Sequence, residues 1–213
     1  MKTHERSTAA AAGNGPAGTT LAALRRDGYA VLPGVLQSRQ LSEIRAAIER
    51  ALIEARRDPL WRTGGTLHLD VQALPEVATV LSSTAITSAV GCILGPAARP
   101  SRVHFRAPLP GHGAQALHPD WSEPIVPNGE QVATVIVALV DFTVDNGATR
   151  VVPGSHLLPR LAVPKEPSVA FPGERIVTCT AGDAVVFSGH LRHSGTKNGS
   201  TQRRDALQIL FTR

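Results

Sequence analysis

Cysteine is nearly absent from this chain: only Cys92 and Cys179 occur in 213 residues, far apart and each inside an apolar stretch. Two such residues define neither a disulfide framework nor a zinc-ligand spacing, and a cytoplasmic location is expected. No apolar run approaches the ~20 residues that a membrane-spanning helix needs, so no membrane association is expected. Lysine is scarce as well. The formal charge of +5 rests almost wholly on arginines that are scattered or paired, such as Arg25 and Arg26, Arg56 and Arg57, and Arg203 and Arg204. A solvated basic surface is the favoured account of that pattern, with an anionic substrate or nucleic acid as the alternatives, and no nucleic-acid partner is expected. There is no internal repeat. Residues 1–20, rich in Ala, Gly and Thr and without a compact apolar core, read as a disordered leader rather than a secretion signal. Residues 21–213 are then expected to form a single domain, a length that can bury a sizeable core.

What is present changes character at Pro100. Before it the spacing is mainly helical. A short helix over 21–27 is closed by Gly28, a strand covers 29–32, and Pro33 and Gly34 turn the chain. From Ser38, a candidate N-cap, apolar residues recur at Leu41, Ile44, Ala47, Ile48 and Leu52. A strand over 66–71 follows, and Pro75 opens a second helix that Gly91 or Gly95 would end. Beyond Pro100, short runs rich in Val, Ile, Thr and Phe alternate with Gly, Pro and Asn turns, at 102–106, 114–118, 132–140, 149–152, 175–180, 184–187 and 206–212. This pattern predicts a mainly β fold, a barrel or jelly roll, with the N-terminal helices packed on one face.

Two segments carry chemistry. In His118-Pro119-Asp120, at the end of a predicted strand, positions i and i+2 share a face, so an imidazole and a carboxylate can reach one ion. Two histidines and one carboxylate suit Fe(II) and leave coordination positions open. Proline between the two ligands removes a ladder N–H and points to an edge or bulge. The second segment runs from Gly182-Asp183 through a buried strand to His190-Leu191-Arg192-His193, then through a turn at Asn198-Gly199 to Arg203-Arg204 and the last strand. It is expected to bring a histidine and an arginine onto neighbouring strands. A keto acid that chelates iron at one end needs a cation for its distal carboxylate, and an arginine fork fits that role. Arg102, His104 and Arg106 alternate on one strand face and, with Trp121, are candidates for a substrate-pocket wall.

In this order the segments resemble the phytanoyl-CoA dioxygenase family of Fe(II)/2-oxoglutarate oxygenases. The resemblance is carried by His118-Pro119-Asp120, by Asn146-Gly147-Ala148, by Pro153-Gly154-Ser155-His156, and by His193 with Arg204 eleven positions on. The opening segment from Gly28 to Leu36, followed by a long helix, is also similar. The resemblance implies a double-stranded β-helix of cupin-like type, Fe(II) held by His118, Asp120 and His193, and the C5 carboxylate of 2-oxoglutarate held by Arg204, with O2 as the further co-substrate. His156 ends a structural turn in that family. His190 lies at an odd offset from His193 and would face the other way in a strand. Arg203 is the rival of Arg204, because adjacent strand residues face opposite sides. Hydroxylation of an unactivated carbon of a small substrate, anionic or carrier-linked, is the implied reaction, with desaturation, epimerisation and ring formation open, and the presence of Asp120 argues against halogenation. The alternatives are an AlkB-like nucleic-acid demethylase and a non-oxidative cupin-like metal-binding or ligand-binding protein. The arginine bias adds an association with secondary metabolism.

Overall fold

The structure, a computed structural model, describes residues 16–55, 62–63, 65–122, 129–158 and 161–213. Helix α1 (Pro16–Asp27) begins on a proline, whose fixed φ and missing N–H suit a first helical turn, so it reaches into the stretch expected to be leader. Residues 1–15 lie outside the described residues. Gly28 closes α1 at φ +81°, and a Cβ there would stand 2.5 Å from His156 Nδ1, so only glycine fits. Strand β1 (Tyr29–Leu32) leads to helix α2 (Ser38–Ala55), which buries Ile44, Ala47, Ile48 and Leu52. Its first turn is held by the Gln40 side chain, whose Oε1 accepts the Gln37 N–H at 2.8 Å. That is one half of a capping box, one residue upstream of the cap expected at Ser38. Strands β2 (Arg62–Thr63) and β3 (Thr66–Asp70) form a hairpin. The single helix expected after Pro75 is two, α3 (Val77–Leu81) and α4 (Thr84–Leu94). Ser83 breaks them by adopting extended backbone, and Gly95 at φ +80° ends α4.

The remaining strands are β4 (Arg99–Pro108), β5 (Val132–Ala138), β6 (Thr149–Val151), β7 (Arg175–Ile176), β8 (Ala184–Ser188), β9 (His193–Gly195) and β10 (Ala206–Thr212). They build a seven-stranded antiparallel sheet in the order β1-β8-β5-β10-β4-β3-β2 and a three-stranded sheet in the order β7-β6-β9. The fold is therefore mainly β with helices, a jelly roll made of two open sheets rather than a closed cylinder. Two expected strands shrink. Segment 114–118 contributes only a bridge from His118 to His193, and segment 175–180 contributes β7 and a bridge from Cys179 to Phe142. β7 stops early because its partner β6 is only three residues long.

The two-residue period of the large sheet divides its faces. One face sends Val103, Phe105, Ala107, Ala133, Val135, Val137, Leu207 and Ile209 into a core shared with Ile44, Ile48, Leu52, Ile86 and Val90 of the helices. The other face turns Ile136, Ala138, Val185, Phe187 and Ala206 toward Val151 of the small sheet. The same inner face carries Arg106, Gln208 and Thr134, so the space between the sheets is polar on one side. No helix among the described residues is long and apolar enough to cross a membrane.

Candidate metal centre

His118 and His193 are presented by their own backbone pairing. Each donates its amide to the other's carbonyl at 3.0 Å, in an antiparallel bridge that sets the imidazoles side by side, ring centroids 4.7 Å apart. In such a hydrogen-bonded pair both polar groups of His118 face β9, so the next residue faces away. Pro119 therefore removes no bond from this pairing, and the proline between the ligands is compatible with the strand that presents them. The segment is tied down again where the Trp121 amide donates to the Gly189 carbonyl at 2.9 Å.

One ligand atom from each of His118, Asp120 and His193 lies within 4.8 Å of the other two, and His193 Nε2 is 3.6 Å from Asp120 Oδ1. His118 Nδ1 lies 2.8 Å from the Ala116 carbonyl and His193 Nδ1 lies 3.0 Å from the Leu191 carbonyl. A carbonyl can only accept, so both Nδ1 atoms carry the proton and both Nε2 lone pairs face the centre. Burial, reinforced by the neighbouring His118, pulls the His193 pKa below the ordinary histidine value against the attraction of Asp120, which favours the neutral, ligating form. The Thr134 hydroxyl donates to Asp120 Oδ2 at 2.5 Å. That leaves Oδ1 as the oxygen turned to the histidines.

The arginines separate by face. Arg203 points toward the helices, paired with Glu49 of α2 and with Asp205 at 2.8 Å, its guanidinium 5.9 Å from the Phe105 ring centre. Arg204 points inward and is 8 % exposed, its guanidinium 4.5 Å from the Phe142 ring centre. Its Nε and one terminal nitrogen are buried with no hydrogen-bond partner. Burial, with Arg106 adding repulsion, brings its pKa down to about 10, so it stays charged at neutral pH. His193 and Arg204 do not lie on neighbouring strands as expected. His193 is on β9 of the small sheet and Arg204 precedes β10 of the large one, so they meet across the gap between sheets. That gap is a cavity of about 380 Å³ lined by His118, Asp120, His193, Arg204, Arg106 and Gln208, among others.

The other sequence candidates scatter. Arg106 lines the cavity, whereas His104, on the same face of β4, lies outside the lining, its Nδ1 2.7 Å from Nε2 of His68, which does line it. Arg102 is exposed, and Trp121 lies outside the lining. His156 is buried beneath Gly28 with its Nε2 3.3 Å from the Arg25 carbonyl, a structural position. The glycine-rich motifs are structural too. Asn146 clasps its own turn through Thr143 N–H and the Asp141 carbonyl. Ser155 Oγ accepts the Arg192 amide at 2.9 Å, which braces the strand of His193. Sequence reasoning missed Thr134, Gln208 and His68. The first two were visible as lone polar residues inside otherwise apolar strands, and His68 alternates with leucines on β3.

The phytanoyl-CoA dioxygenase family model matches residues 24–206. The chain belongs to this family. It is 33% identical over 216 residues to the uncharacterized protein Rv1501 of Mycobacterium tuberculosis, covering 90% of this chain and 73% of that protein. It is 27% identical to the dioxygenase ALT11 of Alternaria alternata, over 87% and 68% of the two chains. Among solved structures it is similar in fold, with a TM-score of 0.73 and 24% identity over 92% of this chain and 83% of the other, to the epimerase SnoN in complex with Fe3+, α-ketoglutarate and nogalamycin RO. A member of this family is a non-haem Fe(II)/2-oxoglutarate-dependent dioxygenase, and the residues present suit both groups. The two imidazoles and one carboxylate are a donor set for Fe(II), and the buried Arg204 guanidinium with unpartnered nitrogens matches a distal carboxylate.

Proposed function

We propose that His118, Asp120 and His193 hold Fe(II), that Arg204 holds the C5 carboxylate of 2-oxoglutarate, and that the chain hydroxylates an unactivated carbon of a small-molecule substrate. When bound, the iron and the keto acid supply the oxidising power, with 2-oxoglutarate and O2 consumed and succinate and CO2 released. The protein's own part is positional. The bridge between His118 and His193 and the Thr134 hydroxyl aim three ligand atoms at one point. Phe187, whose ring centre is 4.5 Å from that of His193, and Ile136 form the apolar side of the centre.

The observation that carries this reading is Arg204. A buried guanidinium with unpartnered nitrogens is costly unless an anion completes it, and it opens onto the same cavity as the three ligands. The nogalamycin compound bound by SnoN supports a small-molecule substrate and a tailoring role in secondary metabolism. The free thiols of Cys92 and Cys179 support a reducing, cytoplasmic setting. Anaerobic titration of the protein with Fe(II) and then 2-oxoglutarate tests the site: a visible metal-to-ligand band forms, Asp120→Ala loses iron binding, and Arg204→Ala weakens 2-oxoglutarate without weakening iron. A protein that gives no band is not an oxygenase of this type. Substrate-stimulated succinate release across carboxylates, phosphorylated compounds and carrier-linked compounds then identifies the substrate.

A further inference from the structure

Two arginines open onto the cavity, and the proposed co-substrate needs only one. Arg106 is on β4, and its guanidinium's only hydrogen bond among the described residues runs from one terminal nitrogen to Gln208 Oε1 at 3.0 Å. Among the described residues no carboxylate pairs with it. Its guanidinium lines the cavity with His68, Gln208 and Arg204, and the carboxylate within its electrostatic reach is Asp120, already a metal ligand. The neighbouring histidines do not change its charge balance. His68 and His104 share one hydrogen bond, and burial holds both below the ordinary histidine pKa, hence neutral at pH 7.

Charge and strand order together set what Arg106 can serve. The two charges of Fe(II) and the one of Arg204 are cancelled by Asp120 and the dianion 2-oxoglutarate. Arg106 is left as an uncompensated, half-buried cation lining a half-open cavity, where partial removal from water makes pairing with an anion valuable. Along the large sheet, β5 carries Thr134, the support of Asp120; β10 follows Arg204; β4 carries Arg106 and β3 carries His68. Arg106 and His68 are directly opposite one another, on the side of the co-substrate strand away from the metal support. We propose that Arg106 anchors an anionic group of the substrate, a carboxylate or phosphate monoester, with Gln208 fixing the guanidinium and His68 as a neutral flanking partner. This rests on the assignment of the metal triad and Arg204 given above.

The test uses anaerobic protein holding Fe(II) and 2-oxoglutarate, titrated with benzoate, phenyl phosphate and neutral benzamide, followed by calorimetry and by the shift of the visible band. One or both anions bind saturably and benzamide does not. Arg106→Gln weakens the anion at least about tenfold and leaves 2-oxoglutarate affinity within about twofold, while Arg106→Lys restores part of the anion binding. The preference between benzoate and phenyl phosphate distinguishes the two anion types. If Arg106→Gln weakens 2-oxoglutarate as much as the anion, Arg106 holds the co-substrate and the inference is wrong. Equal binding of benzamide, equal anion binding by wild type and variant, or no anion binding at all also overturns it. A wild type that forms no band overturns the underlying assignment together with this inference, whereas a normal band without anion binding overturns the inference alone.

Discussion

The two faces of the seven-stranded sheet are made by the same strands and obey different rules. On the helix side, Val103, Phe105 and Ala107 of β4, Ala133, Val135 and Val137 of β5, and Leu207, Ile209 and Phe211 of β10 are buried in one apolar core with α2 and α4. On the inner side the same strands present Arg106, Thr134 and Gln208, and the flanking segments add Asp120 and Arg204. One residue of register exchanges these sets completely. Burial of the outer face fixes the register, and the register places the chemistry. Stability and function should therefore separate by face.

On the inner face, Asp120→Ala is the most damaging single change. It removes one of three ligands, and loss of Fe(II) affinity should exceed the roughly 10–100-fold that an outer partner of a metal ligand is worth. Thermal unfolding of the metal-free protein should barely move, because Asp120 contributes no apolar burial. A large drop in Tm without metal would show that the inner face also holds the fold together.

The outer face gives the converse. Phe105 is completely buried on β4 beneath Arg203, and Phe105→Ala should cost about 3–5 kcal/mol in denaturant unfolding. Fe(II) affinity per folded molecule should stay near that of the wild type. Loss of metal binding in protein shown to be folded would mean that strain crosses the sheet, and the separation of faces would fail.

Arg203 and Arg204 compress the same comparison into two adjacent residues. Arg204→Met should weaken 2-oxoglutarate by roughly 10–100-fold, the range of a charge-assisted bidentate contact. Arg203→Met loses a partly exposed pairing with Glu49 and Asp205, worth about 1 kcal/mol or less, and should leave 2-oxoglutarate affinity unchanged. Calorimetric titration of both variants decides it. Reversal of the two results would mean that the chain enters β10 one residue out of register.

Much of this division was legible in the residues themselves. Alternation on 102–106 showed a strand with two faces, the apolar run at 206–212 marked another strand, and the i, i+2 spacing of His118 and Asp120 indicated a shared face before any pairing was known. What stayed hidden depends on contacts between distant segments. Whether His193 and Arg204 sit side by side or face to face is decided by which sheet each strand joins, and that depends on pairing with β6 or with β4 and β5, far away in sequence. Pro119 read as a missing ladder bond because the phase of its pairing was unknown. The break between α3 and α4 is a choice of backbone conformation at Ser83 that an unbroken apolar spacing conceals.

The smallest effect, and the finest test of the comparison, is Thr134→Val. Thr134 is fully buried on β5, flanked along the strand by Ala133 and Val135 of the outer face, and its hydroxyl is its one link to the site. Valine has nearly the same shape, so packing is preserved, and loss of the hydroxyl should lower stability by about 1–2 kcal/mol. Asp120 Oδ2 would lose its donor, and the carboxylate would be free to turn both oxygens toward the metal. Fe(II) affinity should then change by about tenfold, and with Co(II) as the probe the visible spectrum should shift as coordination by one oxygen gives way to two. Thr134→Ser should restore the wild-type spectrum. An unchanged Co(II) spectrum in Thr134→Val would mean that the bridge between His118 and His193 alone orients Asp120, and that the inner face of β5 contributes shape rather than chemistry.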